Sequence, residues 1–173
     1  MKNFIIPFLI VNILLLNSCS GKNGGLMIFD DSNKKASVRI EQILELVENQ
    51  DKNALREMFS NQVLNEVNDF DERLDALFQY VQGSVQTWES TGAYGGSDAK
   101  NADGTGNRKK ETESTYVFTT SEQEYRIAIY EVIIDTANPD NVGIYSLCII
   151  STKDDQNSEF VYWGNGNAGI NVG

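Results

Sequence analysis

Histidine is absent from this chain of 173 residues, cysteine and proline occur twice each, and 14 lysines and arginines stand against 25 aspartates and glutamates. Each shortage removes a class of chemistry. With no imidazole there is no histidine base to activate a catalytic thiol such as that of Cys148. A net charge of −11 argues against a nucleic-acid partner, because phosphate binding needs clustered basic surface. The densest basic run is Arg108-Lys109-Lys110, followed by Glu111 and Glu113, and it reads as a solvated loop. Neither a metal nor a cofactor is expected. The stretch from Asp98 to Gly104 is a poor copy of a calcium loop, since Lys100 takes a ligand position and no acid closes the loop. The glycines at 92, 95, 96, 104 and 106 are not followed by Gly-Lys-Ser/Thr or a helix start, so they make no phosphate cradle.

Long apolar runs are also missing, with one exception at the front. Met1-Lys2-Asn3 precedes an apolar stretch from Phe4 to Leu16, interrupted by Pro7 and Asn12. A spanning helix wants about 20 apolar residues, so this stretch reads instead as a secretory leader. Its end, Leu16-Asn17-Ser18-Cys19, resembles a bacterial lipobox, with an aliphatic residue at −3, a small residue at −1 and then the acceptor thiol. That resemblance implies residues 1–19 as a lipoprotein signal peptide, lipidation at Cys19, and a cell-membrane location, lipid-anchored on the extracytoplasmic face. The alternatives are ordinary secretory cleavage near Ser18 and an uncleaved anchor. Residues 20–35, opening with Ser-Gly-Lys-Asn-Gly-Gly, form a flexible tether, and residues 36–173 a single domain. Loss of Lys2 with the leader makes the remainder more acidic still, so attachment rests on the acyl chains rather than on anionic headgroups.

Once Cys19 is lipidated, Cys148 has no partner for a disulfide and stability must come from packing. Cys148 lies in the apolar run Tyr145-Ser146-Leu147-Cys148-Ile149-Ile150 and is expected to be a small buried hydrophobe.

From Lys35 onward the apolar residues Val38, Ile40, Ile43, Leu44 and Val47 fall at three- and four-residue steps, which predicts a helix capped by Ser37. Asp51 can cap a second helix with Leu55, Met58 and Phe59 on its buried face, and Ser60 a continuation through Val63, Leu64 and Val67. Asp69 or Asp71 opens a third, in which Leu74, Leu77, Phe78 and Val81 share a face and Gly83 supplies a left-handed stop. Three helices are therefore predicted in the first half. β-branched and aromatic residues then dominate the runs Ser84 to Thr91, Ser114 to Thr120, Glu124 to Asp135, Gly143 to Thr152 and Glu159 to Trp163, with a long loop from Tyr94 to Thr112. Short connections predict an antiparallel meander of about five strands, and helices first with strands after predict an α+β fold with N-terminal helices packed on one sheet face.

Two segments, Leu55 to Gly83 (LREMFSNQVLNEVNDFDERLDALFQYVQG) and Tyr125 to Ile150 (with DNVGIYSLCII near its end), resemble a family of uncharacterised bacterial lipoproteins, domain of unknown function 5104. The opening Asn49-Gln50-Asp51-Lys52-Asn53-Ala54-Leu55 with Phe59-Ser60 also resembles nuclear transport factor 2-like and SnoaL-like domains. That second resemblance implies a cone in which a curved sheet wraps a helix around a cavity. Enzymes on that scaffold often use an Asp/His pair or a lone acid, and this chain can offer only the acid.

Three functions remain open. One is a non-enzymatic module binding a small ligand or an envelope protein through strand aromatics, for which Trp88, Tyr94, Tyr130, Tyr145 and Trp163 are candidates, with Tyr116 beside them. Single aromatics on strands are more often packing than binding groups. The second is a cavity-based hydrolase or isomerase using the carboxylate of Glu131, set mid-strand in Ile127-Ala-Ile-Tyr-Glu-Val-Ile-Ile134. Its alternatives are a solvent-facing Glu131 or one paired with Arg126 or Lys110, and the adjacent Tyr130 must point the other way. The third is a structural role as a homodimer formed through the open sheet face. Catalysis is the less expected outcome.

Overall fold

The structure is a computed structural model that describes residues 31–101, 104–155 and 167–173. Four helices precede a curved, unclosed mixed sheet, which makes the fold α+β. Helix α1 spans Asp31–Glu48, α2 Lys52–Glu57, α3 Asn61–Glu66 and α4 Phe70–Tyr80. The strands are β1 Val85–Lys100, β2 Arg108–Thr120, β3 Glu124–Asp135, β4 Gly143–Ser151 and β5 Gly169–Val172, in the spatial order β1-β2-β3-β4-β5. From Asp31 on they form one compact unit.

Helix α1 buries Ile40, Ile43, Leu44 and Val47, while Glu41, Glu45 and Glu48 face solvent, as the spacing predicts. Two details differ. The described part of the helix already includes Asp31, so Ser37 lies inside it and does not cap it, and residues 31–35, expected as tether, are helical. Val38 is exposed, because its spacing from Ile40, Ile43 and Val47 puts it on the side of the helix opposite the buried stripe. The expected caps of the next two helices form: Asp51 accepts from the Ala54 amide at 3.0 Å and Ser60 from the Val63 amide at 3.2 Å, each worth about 1 kcal/mol. Ser60 therefore starts a helix of its own, and the three predicted helices are four among the described residues. Asp69 precedes α4 without a side-chain cap bond and pairs instead with Arg73 at 3.0 Å. Gly83 adopts φ +81°, the left-handed stop expected after that helix.

Strands β1 to β4 form the predicted antiparallel meander, but β5 runs parallel to β4, so the sheet is mixed. The reason is connection length: a parallel neighbour needs a long crossover rather than a tight turn, and residues 152–168 separate β4 from β5. The predicted strand Glu159 to Trp163 lies outside the described residues. The expected loop from Tyr94 to Thr112 is corrected too. Most of it is paired strand, with Ser97 opposite Glu111 and Asp98 opposite Lys110, and the basic run 108–110 starts β2. Poor strand propensity is overridden there by cross-strand pairs: Arg108 donates to Asp98 through Nε at 2.8 Å and Nη2 at 2.7 Å, and Ser97 donates to Glu111 at 3.1 Å.

The core lies between the helices and one sheet face. Phe118, Tyr125, Ile127, Leu147, Ile149 and Ile170 meet Ile40, Leu55, Val63, Leu74 and Leu77, all essentially without solvent contact. Tyr125 stacks on Phe118 with ring centroids 5.0 Å apart. Its hydroxyl accepts from the Gln82 amide at 2.8 Å and donates to the Tyr80 carbonyl at 3.0 Å, which pins the end of α4 to β3. The segment after α2 joins the sheet through a bridge between Phe59 and Ile144. That approach is so close that a Cβ on Gly143 would stand 2.7 Å from the Ser60 nitrogen.

A polar cleft between helix α1 and strands β2 and β3

Alternation places Tyr125, Ile127, Ile129 and Glu131 of β3 toward the helices, together with Ser114, Tyr116 and Phe118 of β2. Where helical cover ends, near the start of α1, the apolar core gives way to a small cleft of about 50 Å³. Lys35, Ala36 and Arg39 form its helical wall, Lys110, Thr112 and Ser114 its β2 wall, and Ile129, Glu131 and Ile133 its β3 wall. By volume it holds roughly three to five waters or one small polar group.

Glu131 is 6 % exposed. Arg39 grips it from the helix, with Nε 2.6 Å from Oε2 and Nη2 donating to Oε1 at 3.2 Å. The Oε2 contact is a close ion pair without hydrogen-bond alignment, so that buried oxygen lacks a properly directed donor. Sequence reasoning found Glu131 but not its partner. Arg126 does not fill that place, since it pairs with Asp155 at 2.7 Å, and the Glu131 carboxylate meets the Arg39 fork. One signal was available. Arg39 stands three residues after Ala36 and four before Ile43, on the buried stripe of its own helix, and a cation there calls for an interior acid.

The aromatic candidates do not gather at this site. Trp88 lies on the helix-facing side, half-buried, edge-to-face with Tyr116 at 5.7 Å. Tyr130 and Tyr145 pack edge-to-face at 5.6 Å, with Tyr130 on the opposite face of the sheet. The Tyr130 hydroxyl donates to Glu111 at 2.6 Å; burial and that bond together push its ionisation well above the ordinary phenol range. Burial works against the Glu111 charge as well, yet hydrogen bonds from Lys109, Tyr130 and Ser97 hold its carboxyl below the usual range. Tyr94 sits opposite Ser114 in the register, while its side chain, like Trp163 and Cys19, lies outside what the structure describes. Cys148 is buried, and burial raises its thiol above the usual value. No group of acids and cysteines among the described residues is arranged to hold a metal ion, and no helix among them is long and apolar enough to cross a membrane.

The family model "Domain of unknown function (DUF5104)" matches residues 42–152, well over half of the sequence. The chain belongs to this family. The matched stretch contains Glu131, Lys110, Thr112 and Ser114 and begins just after Arg39, so the strand walls of the cleft fall inside it and the helical wall outside. No curated protein matches the chain.

Proposed function

We propose that this protein is a lipid-anchored lipoprotein of the extracytoplasmic membrane face, and that its domain is a non-enzymatic binding module taking a small ligand in the cleft beside Arg39. The anchor rests on Leu16-Asn17-Ser18-Cys19 behind a short apolar leader. Binding rests on one observation: a charged pair, Arg39–Glu131, occupies the floor of an opening in an otherwise apolar helix–sheet interface. Such a pair stabilises little, since desolvation offsets most of its attraction and apolar residues of similar size often do as well. A polar floor open to solvent on the Lys35 side serves recognition better than it serves packing.

A catalytic carboxylate is the second reading, favoured by the burial of Glu131 at that floor. It is the lesser one because both carboxylate oxygens already face Arg39, and a general base must be within reach of its substrate's proton.

The test has two arms. Mass spectrometry of the chain extracted from membranes is expected to show acyl chains on a mature N-terminal Cys19, and Cys19→Ser to leave the polypeptide unlipidated. Thermal unfolding of the full chain against cell-wall fragments, sugars, peptides and small anions should then find a ligand that raises the midpoint, an effect blocked by Ser114→Trp, which fills the cleft. A panel without any such shift would overturn the binding reading.

A further inference from the structure

Unused hydrogen-bonding groups converge on the cleft. Thr112 and Ser114, two residues apart on β2, both border it half-buried, and among the described residues neither hydroxyl has a hydrogen-bond partner. On the helical side Glu131 takes Nε and Nη2 of Arg39 and so fixes the plane of the guanidinium, while Nη1 has no bonding partner among the described residues. Ala36, Ile129 and Ile133 set apolar surface beside these groups. Lys35 and Lys110 border the cleft too, each with an interaction of its own, and neither is counted as a donor.

We infer that the cleft takes one hydroxyl-bearing edge of a neutral sugar, held by Arg39 Nη1, Thr112 and Ser114. The inference rests on the binding reading above and names its ligand chemistry. Glu131 already answers the charge of Arg39, so Nη1 is an oriented donor with no premium on an anion. The balance of donors and acceptors then selects the ligand. A guanidinium only donates, and each protein hydroxyl offers one donor and two acceptor lone pairs, so the three groups together are richer in donors than an amide ligand can satisfy. Neighbouring sugar hydroxyls carry more acceptor sites than donors and fit that balance. The Ala36, Ile129 and Ile133 surface suits the C–H side of a sugar ring, in the usual pattern of an apolar lining with a few placed polar groups. At about 50 Å³ the cleft admits one edge of a ring and leaves the remainder in solvent. Glu131 is here a positioning residue: it presents Arg39 as a preorganised donor and does not touch the ligand.

The experiment uses the full chain, isotope-labelled, in a polyoxyethylene detergent that has no sugar headgroup. Amide chemical shifts are followed as glucose, galactose, mannose and N-acetylglucosamine are added, with acetate and inorganic phosphate alongside. At least one sugar is expected to move the Thr112 and Ser114 amides saturably, with Kd on the order of 1–10 mM. Its affinity should stay flat as salt rises, which that of a bound anion would not. Thr112→Val and Ser114→Ala should each weaken binding about fivefold with the unfolding midpoint unchanged, because neither hydroxyl has a partner among the described residues to lose. Thr112→Ser keeps the hydroxyl and should bind as the parent does. Because Arg39→Met alone endangers folding, the double change Arg39→Met with Glu131→Met serves in its place and should abolish binding. A linear trisaccharide that binds as tightly as its monosaccharide marks the end of a glycan, and binding of the monosaccharide alone marks a free sugar. No saturable shift with any of the four sugars, or binding indifferent to Thr112→Val, Ser114→Ala and the double change, overturns the inference. Should phosphate or a peptide bind instead and be blocked by Ser114→Trp, the sugar assignment fails while the binding module stands.

Discussion

Arg39 of α1 and Glu131 of β3 lie 92 residues apart in the chain and meet in the folded protein with Nε 2.6 Å from Oε2. The side chain of Glu131 keeps 8 % of its surface exposed and that of Arg39 32 %, so the contact is asymmetric: the acid depends on the cation more than the reverse.

Removing the cation alone strands a buried charge. Arg39→Ala is expected to cost about 3 kcal/mol, at the low end for a broken buried pair because Arg39 is partly exposed. The double change to Met at 39 and 131 should recover most of that loss. Urea unfolding of the three proteins measures both values, and an Arg39→Ala chain as stable as the parent would contradict the pairing.

Asp135 gives the fold an acid-sensitive corner. Its carboxylate accepts from the side chain of Asn141 at 2.9 Å and from the Asn138 and Ala137 amides at 2.9 and 3.1 Å, and these bonds hold it below its ordinary range. A depressed folded value means the unfolded chain takes up the proton first. The stabilisation is therefore complete above the unfolded value, about 3.9, and is lost as pH falls from there through the folded one. Asp135→Asn should cost about 1.5 kcal/mol at pH 7, with parent and variant converging in strongly acidic solution. Parallel stability curves down to that limit would refute the assignment.

Gly143 is a steric requirement rather than a preference. Its φ of +130° and the 2.7 Å gap between an added Cβ and the Ser60 nitrogen leave no room for a side chain. Gly143→Ala is expected to destabilise by about 3 kcal/mol and to loosen the Phe59–Ile144 bridge, seen as faster hydrogen exchange at the Ser60 and Ile144 amides, which bond to the Ile144 and Met58 carbonyls at 3.1 and 2.9 Å.

Cys148, at 1 % exposure with its thiol raised by burial, should resist a thiol reagent in the native protein and react only on opening. Labelling is expected to slow by orders of magnitude relative to the protein in denaturant and to track unfolding. Rapid native labelling would place the thiol at the surface.

Local chemistry made the helices, their Asp51 and Ser60 caps, the Gly83 stop and the α+β class legible in the sequence, because each depends on neighbours within a few residues. The misread places depend on distant partners. Gly95, Gly96 and Ser97 have the composition of a loop, and only pairing with Thr112 and its neighbours on β2 makes them strand. The direction of β5 hangs on a crossover no periodicity encodes. Half of the cleft was visible, since Glu131 stood out as an acid in an apolar strand, but its partner comes from a helix at the other end of the domain.

The sheet order carries a kinetic consequence. From β1 to β4 every strand pairs with its successor, so the meander can zip by closing short loops, which is quick. Arg39 can reach Glu131 only after that scaffold stands and α1 has docked upon it. The cleft is thus expected to take shape last, and a partly assembled chain would own a sheet on which Glu131 still lacks its cation.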